Sequence, residues 1–94
     1  MLKKRLEGTV VRVTFNIPAP LTAQTITLVG EFNNWSETAT PLLRSGEGWS
    51  TTMDLPPNHS YQYRYLADGR WLNDWSADRY EPNEFGGANS VVYT

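Results

Sequence analysis

The sequence has no cysteine, which excludes disulfides, thiolate-bound metals and a cysteine nucleophile. It has one histidine, His59, directly after the turn signal Pro56-Pro57-Asn58, so it reads as a solvent-facing turn residue. One imidazole among scattered carboxylates does not make a metal site, because zinc needs several convergent ligands. Positive charge is also scarce, with 8 Lys and Arg against 10 Asp and Glu and a formal net charge of −2. The one basic run, Lys3-Lys4-Arg5, lies at the N-terminus, and residues 1–7 are expected to form a loose, solvated arm. Nucleic acid and anionic membrane are excluded as partners, because both require a clustered positive footprint. No window approaches the ~20 apolar residues needed to cross a bilayer. No apolar stretch follows the basic N-terminal residues, so they do not read as a secretory signal and the expected location is cytoplasmic. Internal repeats, linkers and low-complexity tracts are likewise missing.

Aromatic rings are what the chain has in plenty: 4 Trp, 5 Tyr and 3 Phe in 94 residues. That length makes residues 1–94 one domain. A chain so short buries only ~60–70% of the surface its unfolded form exposes, so some rings must fill the core. The remainder are candidates for a binding face.

The hydrophobic pattern is strand-like nearly throughout. Over 10–15, Val11, Val13 and Phe15 alternate with Arg12 and Thr14, a period of two in β-branched residues. Ile17-Pro18-Ala19-Pro20 ends that strand, since proline has no N–H for the ladder. A second strand is expected over 25–31, a loop over 30–43, and a third strand over 49–55. The clearest strand covers 60–67, where Tyr61, Tyr63, Tyr65 and Ala67 share one face and Gln62, Arg64 and Leu66 the other. Asp68-Gly69 is a hairpin signal leading into Arg70-Trp71-Leu72. Residues 73–90 read as a polar loop before a last strand over 90–93. No stretch keeps a helical period. Short strands with turn signals at this spacing specify an all-β sandwich or small barrel.

Catalysis finds little support. Glycoside hydrolysis needs two carboxylates flanking one bond within a cleft. Asp68 already has the turn role, while Asp74, Asp78, Glu81 and Glu84 read as loop solvation. No catalytic residue and no cofactor is assigned. Binding finds more. Trp35 follows Asn33-Asn34, a pair that favours a tight turn and would push the next side chain outward. Trp71 stands two residues past the Asp68-Gly69 turn, with Arg64 or Leu66 across the hairpin. A pyranose ring offers a flat face of C–H groups that lies well against an indole. Its hydroxyls then need partners such as Arg64 or Asn89. Two such stacks remove ~150–250 Å² of apolar surface, worth ~4–6 kcal/mol. Association costs at least ~4 kcal/mol, so a short sugar should bind at roughly micromolar to millimolar levels. The opposing reading is that both indoles are core. Trp49 opens a strand facing the tyrosine-rich one and is expected in the core, and Trp75 stands in the polar loop.

Five motifs occur in one order: Leu28-Val29-Gly30-Glu31-Phe32-Asn33-Asn34-Trp35-Ser36, Asp54-Leu55-Pro56, Gln62-Tyr63-Arg64-Tyr65, Asp68-Gly69-Arg70-Trp71 and Gly87-Ala88-Asn89-Ser90-Val91-Val92. This set resembles carbohydrate-binding module family 48, the isoamylase N-terminal or early set domain, and within it the glycogen-binding domains of AMP-activated protein kinase beta subunits. The resemblance runs over about 25–92. It implies an immunoglobulin-like β-sandwich, a ligand of α-1,4-linked glucose such as glycogen or starch, and a possible partner among glycogen-metabolising enzymes. It also implies that Trp35 and Trp71 form the sugar platform, with Arg64 in the place of a lysine and Asn89 as a further polar contact. Phe85 stands where the family has a leucine beside the glucan, Gly87 where it has a threonine, and Trp75 where it has a proline. Asn34, Asn73 and Trp75 are additional candidates. Arg for Lys changes a point donor into a planar fork. Two rival readings remain: a protein-interaction module on the same scaffold, and a glycosidase fragment. The joint presence of Trp35, Arg64, Trp71 and Asn89 argues against the first, and the lack of a barrel-sized segment against the second. Starting at Met1, the chain is read as a free-standing targeting protein, a subunit or a fragment.

Overall fold

The computed structural model describes every residue except Met1, 19–22, Glu47 and Phe85. Nine strands are found among the described residues: β1 Leu2–Glu7, β2 Val10–Pro18, β3 Ile26–Gly30, β4 Leu43–Ser45, β5 Gly48–Leu55, β6 Ser60–Ala67, β7 Arg70–Leu72, β8 Arg79–Pro82 and β9 Ala88–Tyr93. They form two antiparallel sheets, one ordered β1-β2-β5-β4 and the other β3-β6-β9-β8, with β7 also paired to β6. This is the immunoglobulin-like β-sandwich that the sequence pattern and resemblance predict.

The alternating residues close the sandwich. Val11, Val13, Phe15 and Ile17 of β2 face Ile26, Leu28, Tyr63, Tyr65 and Val92 of the other sheet, all buried. Phe15 meets Tyr63 edge to face at 5.1 Å, a favourable aromatic geometry across the sheets. Trp49 is 6% exposed and belongs to the core, as expected. Tyr61 is only half-buried and packs at the margin against Phe32.

Three expectations are corrected. Residues 2–7 are not a loose arm but strand β1, paired along its length from Leu2↔Phe15 to Glu7↔Val10. The 30–43 loop contains a 3-10 turn, Glu31–Asn33, and its end runs along β3: Thr27 bridges Pro41, and Leu42 N–H donates to Ile26 C=O at 2.8 Å. The polar segment 73–90 contains β8, paired with β9. Short polar edge strands carry little alternation, so the pattern could not show them.

One polar cluster lies inside. Asp74, 1% exposed, accepts from the hydroxyls of Tyr63 at 2.8 Å and Tyr65 at 3.1 Å. Burial, reinforced by this carboxylate, holds both phenols protonated far above their ordinary range.

Candidate functional site

The Trp35 loop is held by its backbone. After β3 and the 3-10 turn, both Asn34 and Trp35 are left-handed, at φ 58° and 57°. Asparagine tolerates that region. Tryptophan does so only where its surroundings over-determine the conformation. Here Trp35 N–H donates to Gly30 C=O at 2.8 Å and Ser36 N–H to Asn33 C=O at 3.2 Å. The Asn33 side chain accepts from Gly30 N–H at 3.1 Å and donates to Leu28 C=O at 2.9 Å and Thr40 Oγ1 at 3.1 Å. The turn is also fastened to β6, where Gln62 N–H donates to Glu31 Oε1 at 2.6 Å.

Arg64 stands at a junction. On one edge of β6, residues 60–63 pair with β9 and residues 65–67 with β7. Because side chains alternate along a strand, the inward Tyr63 and Tyr65 send Arg64 to the outer face of the sheet. Its guanidinium carbon lies 5.8 Å from the centroid of Trp71, within cation–π range, and its Nε donates to Asn73 Oδ1 at 3.2 Å. Trp71 itself is paired opposite Leu66. Asn89 on β9 donates to Gln62 Oε1 at 2.9 Å and accepts from Asn83 Nδ2 at 3.2 Å.

These elements enclose a cleft of about 690 Å³ lined by Trp35, Arg64, Trp71, Asn83, Glu84 and Asn89. Four residues singled out from the sequence, Trp35, Arg64, Trp71 and Asn89, thus come together from β6, β7, β9 and the loop after β3. Trp35 and Trp71 are 40% and 42% exposed, so neither indole is core. Asn73 supports Arg64 rather than lining the cleft. Asn34 and Trp75 are exposed but not among the lining residues. Phe85 lies outside the described residues.

Asn83, Glu84 and the loop-setting Asn33 are site residues that the sequence pattern does not single out. The usable signal for Asn83 is its place before Gly86-Gly87 ahead of the last strand: it closes that turn with its N–H donating to Gly87 C=O at 3.0 Å and its side-chain Oδ1 accepting from Gly87 N–H at 3.1 Å.

Two half-exposed indoles with a guanidinium fork and an amide beside them suit a ligand with flat apolar faces rimmed by hydroxyls. Fold and cleft together define a β-sandwich recognition module. The family whose model matches residues 11–93 is described as the glycogen recognition site of AMP-activated protein kinase, and the chain belongs to that family. It is 38% identical over 68 residues to 5'-AMP-activated protein kinase subunit beta-1 of Sus scrofa, covering 69% of this chain and 50% of that one. It is 36% identical over 67 residues to subunit beta-2 of Mus musculus and of Homo sapiens, covering 68% of this chain and 22% of each. The chain therefore matches half or less of the length of these relatives.

Proposed function

We propose that this protein is a non-catalytic module that binds α-1,4-linked glucan, glycogen or starch, with sugar rings stacked on Trp35 and Trp71. The carrying observation is that two tryptophans from separate elements line one cleft, both about two-fifths exposed, with Arg64 packed against one of them. The Arg64 fork and the Asn89 amide serve the sugar hydroxyls. Asn83 and Glu84 extend that polar rim. The relatives are named as kinase beta subunits, so the reading favours a kinase assembly, rather than a glycogen-metabolising enzyme, as the larger partner in the cytoplasm. Affinity for a short chain is weak, and a polymer with many equivalent sites raises it by avidity.

Titration with β-cyclodextrin and maltoheptaose, followed by tryptophan fluorescence, tests the reading. The expected result is saturable change in the wild type, at roughly micromolar to millimolar ligand, and none in a folded Trp35→Ala/Trp71→Ala protein. A folded wild type that stays silent into the millimolar range would overturn it and leave a protein-docking module.

A further inference from the structure

The buried Asp74 is unusual in its position. It lies one residue after Asn73, whose side chain bonds Arg64 of the cleft, while its own carboxylate bonds the core tyrosines Tyr63 and Tyr65. Every polar group of Asp74 is engaged. Its Oδ2 accepts from Tyr63 and Tyr65, its Oδ1 accepts from Ser76 N–H at 2.9 Å, its N–H donates to Ser90 Oγ at 2.9 Å, and its C=O accepts from Tyr80 OH at 2.6 Å. Apart from Ser76 in the turn that follows, those partners belong to β6, β8 and β9. The residue thus ties three strands of one sheet at the point where β6 changes partner from β9 to β7.

A buried carboxylate without hydrogen bonds would cost far more than an apolar side chain of the same size. With these donors it becomes a rigid fixture, because each bond restricts the backbone of residues 73–76. The adjacent Asn73 then presents Oδ1 to Arg64 Nε at 3.2 Å and to Ser90 Oγ at 3.5 Å. A free arginine side chain samples many rotamers, and ordering it at the moment of binding carries an entropic cost. Asn73 removes part of that freedom beforehand and holds the guanidinium plane over Trp71.

We propose that Asp74 is a positioning residue for the cleft: through Asn73 it pre-sets Arg64 against Trp71, so that the fork of donors is in place before ligand arrives. Asp74 touches no ligand and acts only through Arg64. The inference rests on the cleft being the glucan site.

The test is a double-mutant cycle read by β-cyclodextrin affinity. Asp74→Asn puts an N–H₂ donor where an acceptor is required, so one of its side-chain bonds is lost. In the wild-type background it is expected to weaken binding about threefold to tenfold, the size of one ordered hydrogen bond. In an Arg64→Ala background the same substitution is expected to change nothing further. An equal loss in both backgrounds, or no loss in either, would overturn the proposal, since a purely structural effect does not depend on Arg64. Should Asp74→Asn not fold, Asn73→Ala carries the same cycle from the outer end of the relay. The Arg64 Nε–H resonance gives a reading without ligand. It should be resolved and slow to exchange in the wild type, and should move to the free-guanidinium position in either variant. An unchanged Nε–H resonance would defeat the relay even if glucan binds, whereas a glucan-silent wild type with the expected resonance shift would defeat only the ligand reading.

Discussion

At Gly30 there is no room for a methyl group. A Cβ built there would lie 2.7 Å from Gln62 C=O and 2.8 Å from Tyr63 Cβ, closer than real Cβ atoms approach. Gly30 also accepts the bond from Trp35 N–H that holds the tryptophan at positive φ. Gly30→Ala should therefore cost about 1–3 kcal/mol of stability by overpacking, and should weaken glucan binding with it, because β3 and the Trp35 loop must shift away from β6. Gly87 is the contrast. A Cβ there meets only Asn83 side-chain atoms at 3.7 Å and 3.8 Å, ordinary contact distances. Gly87→Ala should stay within about 0.5 kcal/mol of wild type. Urea unfolding of the two variants side by side checks both, and equal stabilities would refute the argument from space.

The β6–β7 hairpin shows how an element carries more than its own turn. Asp68 and Gly69 have φ 48° and 81°, both positive, as a two-residue turn that follows strand twist requires. The Asp68 carboxylate then reaches across to β3's leading segment and accepts from Gln24 N–H at 2.9 Å and Thr25 N–H at 2.9 Å. Those two backbone donors hold its pKa below the ordinary value of 3.8. A depressed acid stabilises the fold above its unfolded pKa and loses that contribution as pH falls through the folded value. Asn at position 68 keeps the turn but not the charge. The melting temperature of Asp68→Asn should thus lie below wild type at about pH 6, with the gap closing as pH is lowered towards about 2. The Arg12–Asp54 ion pair is present in both proteins, so its own acid titration cancels from the difference. A gap that stayed constant with pH would rule out the carboxylate as its source.

For the whole molecule, the exposed edge of β1 is the feature that most needs managing. Unpaired strand edges recruit other chains, and charged residues on them, above all inward-pointing ones, oppose that. Lys4 shares the inward side with Leu2 and Leu6, and its Nζ pairs with Asp78, just before β8, and donates to Tyr93 C=O of β9 in the other sheet. Lys3 and Arg5 fall on the outer side. The basic run is therefore edge protection and a tie between sheets. A protein beginning at Gly8 would uncover the longer, apolar β2. Its melting temperature should fall by about 5 °C or more, and it should elute larger on gel filtration. An unchanged melting temperature would restore the view of residues 1–7 as an arm.

The sequence by itself determined the class of the molecule and most of its strands. Alternation over Val11, Val13 and Phe15 and over Tyr63, Tyr65 and Ala67 predicted the buried faces, because a half-buried strand has no other way to sort its side chains. It also singled out Trp35, Arg64, Trp71 and Asn89. Only the tertiary structure decided that these four meet in one cleft, since their proximity depends on β6 exchanging β9 for β7 beside Arg64. It alone gave β1, β4 and β8 as strands, because short polar edges are defined by their partners and not by their own pattern. And it alone moved Asp74 from a solvated loop into the core. A carboxylate is stable there only when the hydroxyls of Tyr63 and Tyr65 on β6 converge on it, and no local reading of residues 73–76 contains them.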